Sequence, residues 1–257
     1  MDNNALIKNN LEHLSAEMIK SFNENPLSKR LRQELDNFGN TNWVSLDDSD
    51  LSVFKEEYKS KTVELLNDSE LHSELYNLSA SLVDIRNTEV QNKIEYQLLN
   101  NLSNIASTIS NTRSNNMLNL LFLEHDYEYQ ACFCGFDDKN YHFKLLSGEK
   151  YLEYNYEKEL FNGLGNFDYS PILSPILNFE EKVGQKRVDD IYENLCVSSY
   201  IEEIKELHLL NAYLGIHICL CRIENDFRKI KIPMMDKVYI FGNEHDCEQL
   251  NIYVLEN

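Results

Sequence analysis

Met117-Leu118-Asn119-Leu120-Leu121-Phe122-Leu123 is the stretch on which the fold turns. It is a short, almost unbroken apolar run, the pattern of a strand buried in a sheet. On its N-terminal side apolar residues recur every three or four positions, as on one face of a helix. On its C-terminal side they alternate or cluster in short runs. Composition changes at the same place: seven of eight glycines, twelve of fifteen tyrosines and all six cysteines lie beyond residue 115. The sequence therefore predicts a helical region over 1–115 and an α+β sheet region over 116–257, as two domains or as one continuous domain.

Toward the N-terminus, Ile7, Leu11, Leu14, Met18 and Phe22 make one stripe and predict a first helix over 4–23. Pro26 opens a second, short helix that Gly39 ends. Trp43, the only tryptophan, sits in an acidic loop with Asp47, Asp48 and Asp50. Leu51, Phe54, Tyr58 and Leu65 predict a third helix, all on its packing side. Asn67 and Glu70 have capping-box spacing, and Leu71, Leu75, Leu78, Leu82 and Ile85 continue as a seam. Two heptads fit bundle packing better than a coiled-coil dimer. Thr88 and Gln91 repeat the cap ahead of Ile94, Leu98, Leu102, Ile105 and Ile109.

Toward the C-terminus, residues 127–136 alternate like a strand. Ser147-Gly148 separates the runs 142–146 and 149–154 as a hairpin turn would. Two glycines and two prolines over 163–175 predict a loop. Residues 188–214 read as a long helix stopped by Gly215, followed by a buried strand over 216–223. Runs 237–241 and 250–255 close the chain as strands around an acidic loop. The expected class is α+β: an N-terminal helical region packed on a C-terminal, mostly antiparallel sheet with at least one long inserted helix.

The chain carries 43 acidic and 24 basic residues, a net charge of −19. Nucleic-acid binding needs clustered Lys and Arg, and no cluster is larger than Lys29-Arg30-x-Arg32. The same sign of charge argues against binding to anionic membranes, which attract polybasic segments. The longest apolar stretch, 209–221, carries Asn211 and His217 and is too short for a bilayer span of about 20 residues. The opening residues lack the basic start and apolar run of a secretory signal. Cysteines set in apolar runs predict reduced, buried thiols, and hence a cytoplasmic protein.

Candidate chemistry is sparse. Cys132-x-Cys134 and Cys219-x-Cys221, both placed on strands, would each turn two sulfurs to one face. One intervening residue does not match a zinc knuckle, so buried thiols are the preferred reading. His217 beside Cys219 and Cys221 is read as a core histidine beside packed thiols. Glu124-His125-Asp126 and Glu244-His245-Asp246 repeat one tripeptide at two strand ends. If the two loops met, His125, Asp126, His245 and Asp246 would be candidate metal ligands. Polar strand-end turns are favoured, because the spacing matches no metal motif. The run Tyr151-Leu152-Glu153-Tyr154-Asn155-Tyr156-Glu157 alternates aromatic and acidic residues, as a recognition surface does. No phosphate-binding glycine loop, nucleophile elbow or His-Glu-x-x-His is present.

These features predict a non-enzymatic acidic interaction protein with a basic protein partner, most concretely an inhibitor or immunity protein that neutralises a toxin or nuclease. No cofactor is implied. The expected partner-binding residues are Asp137, Asp138, Tyr151, Glu153, Tyr154, Tyr156, Glu157, Glu244 and Asp246. The alternatives are a metal-dependent hydrolase built on the two Glu-His-Asp loops and a scaffold or regulatory subunit. The sequence leaves oligomeric state open.

Overall fold

The fold is that of a computed structural model describing residues 2–38, 48–111, 117–126, 130–146, 152–154, 156–184, 191, 193–230, 232–244 and 249–256, with the side chains of 48–51, 156, 184 and 244 outside the description. Among the described residues the order is α1 (Asn3–Glu24), α2 (Leu27–Phe38), α3 (Asp48–Asn67), α4 (Ser69–Ala80), α5 (Thr88–Asn111), β1 (Leu118–His125), β2 (Gln130–Phe136), β3 (Glu159–Asp168), α6 (Ser170–Gly184), α7 (Leu195–Lys229), β4 (Met234–Glu244) and β5 (Leu250–Glu256). The class is α+β, with a helical N-terminal half and the first strand at the expected place. The chain divides into two compact units. The sheet unit holds 1–14, 84–173 and 210–257; the helical unit holds 15–83 and 174–209. Both are built from segments distant in sequence.

In the helical unit, Leu71, Leu75 and Leu78 of α4 are buried, as are Leu27, Leu31, Val197, Ile201 and Ile204. Burying one such side chain stabilises by about 1.5–3 kcal/mol. The start of α7 is capped by Asn194, whose carboxamide oxygen accepts the Cys196 and Val197 amides at 3.1 Å each. Its Nδ2 donates to Thr62 Oγ1 at 3.1 Å, tying that cap to α3.

Among the described residues the sheet unit contains five strands, in the order β3-β2-β1-β4-β5. Only β1 and β4 are parallel; the other three pairings are antiparallel. Phe122 of β1 packs against Phe136, Tyr154 and Phe241 at centroid distances of 5.4, 4.8 and 5.1 Å. Polar side chains lock α5 to β3. The Gln97 carboxamide accepts the Asp168 amide at 2.7 Å and donates to its carbonyl at 3.1 Å. Asn101 does the same to Asn166. At the other edge, Asn4 pairs reciprocally with the Val254 backbone, 2.8 Å in both directions, and so covers part of edge strand β5.

Several local expectations are corrected. Gly215 does not stop a helix, and 216–223 is not a strand: α7 runs unbroken from Leu195 to Lys229. An apolar run alone cannot separate a buried helix from a buried strand. Here Tyr213, Ile216, Leu220, Ile223 and Phe227 are buried at helical spacing. Gly215 lies where a Cβ would stand 3.1 Å from Ile85 Cγ2, so its role is close packing. Residues 163–175 are not a loop. β3 extends to Asp168, whose carboxylate accepts the Ser170 amide and hydroxyl at the start of α6. Pro171 falls in the first helical turn, where no amide is needed, and Pro175 lies inside the helix. Residues 142–146 and 152–154 are not strands. Their amides bond side chains instead: Leu146 N–H to Asn251 Oδ1 and Leu152 N–H to Gln249 Oε1, each 2.7 Å. The expected turn at Ser147-Gly148 lies outside the described residues. The α4 cap is Asp68 rather than Asn67, accepting the Leu71 amide at 3.0 Å, and α4 ends at Ala80, before the seam reaches Ile85. Asn87, not Thr88, accepts an amide at the start of α5.

Candidate functional site

Among the described residues, those singled out by sequence lie in different settings. Asp137 and Asp138 are buried. Asp137 accepts the Met117 amide at 3.2 Å, and Asp138 accepts the Asn140 amide at 3.1 Å. Glu153 and Glu157 are exposed, Glu157 within a 3-10 turn over Tyr156–Lys158. Tyr154 is half-buried, with its ring against Phe122 and Phe136. Tyr151, His245 and Asp246 lie outside the described residues, as do the side chains of Tyr156 and Glu244. The described part of the aromatic-acidic run 151–157 is irregular chain followed by that 3-10 turn. Asp137 follows β2, while Glu244 ends β4. Because β2 runs antiparallel to β1 and β4 parallel to it, these two acids mark opposite ends of the sheet.

The two Glu-His-Asp tripeptides do start side by side. β1 and β4 are in register with His125 opposite Glu244, so both leave the same sheet end. The first tripeptide does not aim its groups at one point. Glu124 and His125 point to opposite faces of β1. His125 is buried, with Nε2 3.3 Å from the Tyr213 hydroxyl and its ring edge-on to Tyr169. Among the described residues no group of three or more His, Cys, Asp or Glu is arranged to hold a metal ion.

The cysteine pairs separate. Cys219 and Cys221 lie on a helix, not a strand, so two positions apart they face different directions. Cys219 Sγ is 3.8 Å from the Gln91 carbonyl, and Cys221 Sγ 3.6 Å from His217 Nε2. Burial pushes the Cys219 thiol up to about 12. Cys132 and Cys134 do lie on one strand, β2, with side chains on one face.

The helical unit holds a groove of about 1010 Å³ lined by α2, α3 and the start of α7. Its wall is aromatic. Tyr58 stacks on Phe38 at 5.3 Å and 5°, and on Phe54 at 6.1 Å. The Tyr58 hydroxyl donates to Glu34, and burial first, then that carboxylate, raises the phenol well above its ordinary value. Two apolar side chains at the groove stay exposed: Leu195 at 75% and Phe54 at 42%. Glu34, Glu57 and Glu193 supply carboxylates. The two cations are held in pairs. Arg30 grips Glu203 with two nitrogens at 2.5 and 2.8 Å and lies over the Tyr200 ring at 4.8 Å, while Lys61 meets Glu193 at 2.6 Å. Cys196 lines the groove, but burial and Glu34 push its thiol up to about 11, which makes it a poor nucleophile at neutral pH. Sequence periodicity had assigned Phe54 and Tyr58 to a packing stripe. Their partial exposure is a tertiary fact that spacing does not carry.

Among the described residues no helix is long and apolar enough to cross a membrane. No family model, no curated protein and no solved structure matches this chain.

Proposed function

We propose that this chain is a non-enzymatic, acidic binding protein whose helical unit receives a basic, amphipathic segment of a protein partner in the groove between α2, α3 and α7. The observation that carries the reading is the groove itself: an aromatic wall with exposed Phe54 and Leu195 beside Glu34, Glu57 and Glu193. Apolar anchors supply affinity, and carboxylates select a partner of opposite charge. The helical unit holds 21 acidic and 11 basic residues, against 22 and 13 in the longer sheet unit, so charge is denser where the groove lies. A field of this sign speeds encounter with a cation. The concrete form of the proposal is an inhibitor or immunity protein that covers the cationic cleft of a toxin or nuclease.

The test uses the whole chain and two labelled helical peptides with one apolar face, one carrying Lys and Arg on the other face and one carrying Glu. Anisotropy titration should show binding of the basic peptide only, weakening as salt rises. Phe54→Ser and Glu57→Lys should each weaken it about tenfold. Equal binding of both peptides, no binding, or insensitivity to both substitutions refutes the proposal. A concentration-dependent dimer abolished by Leu195→Ser would give the groove to a second copy of the chain and also refute it.

A further inference from the structure

His217 and Cys221 lie one turn apart on one face of α7, in the part of that helix that belongs to the sheet unit. The groove proposed above belongs to the helical unit and does not involve them. The imidazole is fixed in one tautomer. Its Nδ1 is 2.7 Å from the Ile252 carbonyl of β5. A carbonyl oxygen only accepts, so Nδ1 carries the proton and donates it, and the lone pair is on Nε2. The ring is also held edge-on to Tyr253 at 5.6 Å. Cys221 is exposed, and its Sγ lies 3.6 Å from Nε2. Glu224 follows on the same helix face, accepting the Tyr253 hydroxyl at 3.0 Å and the Arg228 guanidinium at 2.6 Å.

We infer that His217 and Cys221 form an exchangeable site for zinc, with Nε2 and Sγ as its two protein ligands and water in the remaining positions. The geometry carries this. A histidine that ligates a metal through one ring nitrogen donates its other N–H to a carbonyl or carboxylate, as His217 does to Ile252. Zinc lies about 2.0 Å from an imidazole nitrogen and about 2.3 Å from a thiolate, so a tetrahedral angle sets the two donor atoms about 3.5 Å apart. The 3.6 Å between Nε2 and Sγ matches that spacing, and both donors stand on one rigid helix. Burial holds the His217 imidazole below its ordinary value, so Nε2 is free of a proton at neutral pH. Desolvation and then the Glu224 charge hold the Cys221 thiol above its ordinary value. The ion therefore displaces that proton to solvent and takes the sulfur as thiolate, and occupancy falls as pH is lowered. Among the described residues no group of three or more His, Cys, Asp or Glu is arranged around an ion, so the site is open rather than a closed structural one. Magnesium and calcium require oxygen ligands and are not served by an N,S pair.

The test is made on the full chain, reduced with a phosphine and stripped of metal by a chelator. Alkylation is timed with and without zinc. Cleavage at Lys205 and Arg222 then releases one peptide with Cys219 and Cys221, whose fragmentation assigns each label. Zinc should slow alkylation of Cys221 at least ~10-fold, and magnesium should not slow it. Cobalt, as a spectroscopic stand-in, should give thiolate-to-metal charge-transfer absorption that Cys221→Ser lowers, and zinc binding should release about one proton per ion. In calorimetry Cys221→Ser and His217→Gln should each weaken zinc at least ~10-fold. Cys221 alkylated at one rate with and without zinc would leave only a thiol–imidazole hydrogen bond and overturns the inference. So does zinc affinity unchanged in Cys221→Ser, or equal protection by magnesium. The wild-type alkylation decides the matter even if His217→Gln does not fold.

Discussion

Gly242→Ala probes how tightly the sheet unit seats its long helix. A Cβ on Gly242 would stand 2.5 and 2.7 Å from Cε1 and Cζ of Tyr213, and 2.9 Å from Ile252 Cδ1. Neither neighbour has room to retreat, since Tyr213 is 4% exposed and Ile252 fully buried. Overpacking of this kind costs about 1–3 kcal/mol. If the ring tilts away, the 3.3 Å contact of its hydroxyl with His125 is lost as well, about 1 kcal/mol more. The sum is roughly 2–4 kcal/mol, or a fall in Tm of roughly 4–16 °C for a chain of this size. Gly163→Ala is the control. It has a positive φ of 66° and nothing within 4 Å of an added Cβ, so it loses only the left-handed strain of about 1 kcal/mol. Urea and thermal unfolding of both variants supply the comparison. If Gly242→Ala lies within about 0.5 kcal/mol of the wild type, or is milder than Gly163→Ala, the packing reading is wrong.

Two further outcomes follow from the same geometry. Asn194→Ala removes both the cap of α7 and a buried bond to Thr62, and should lower the urea-derived stability by about 2 kcal/mol, whereas Asn194→Asp should keep the cap and lose less. Burial holds the His217 and His208 imidazoles below their ordinary 6.5, each against a backbone carbonyl, Ile252 at 2.7 Å and Leu78 at 2.9 Å. Their folded pKa values are depressed, so the unfolded chain takes up the protons first. Their contribution is complete above the ordinary value and is lost as pH falls from there toward the folded values. The urea midpoint of the wild type should therefore fall faster than that of His217→Gln on acidification from about pH 7.5 to about pH 5.5; parallel curves would contradict the assignment.

Much of the architecture was legible in the residues. Stripes such as Ile94, Leu98, Leu102, Ile105 and Ile109 define helices because burial needs one apolar face, and 117–123 marks the passage to sheet. Local errors arose where one pattern has two solutions. The stretch 216–223 is a mostly apolar run broken only by His217 and Arg222, and its neighbours, not its own spacing, decide that it stays helical. The acids Asp137 and Asp138 look like an exposed pair in sequence, yet both are turned inward onto backbone amides. The groove was invisible because Phe54 and Tyr58 obey the same period as core residues.

By itself the sequence determined the five N-terminal helices, the places of β1, β2, β4 and β5, the α+β class and the sign of the net charge, since periodicity and charge are local, additive properties of a chain. Tertiary structure alone decided the rest. It placed β1 beside β4 so that His125 stands opposite Glu244, and it carried one helix, α7, through both compact units. It also left an aromatic wall of the helical unit uncovered. Such outcomes depend on which distant surfaces meet and how closely they pack, and no short window of residues contains that.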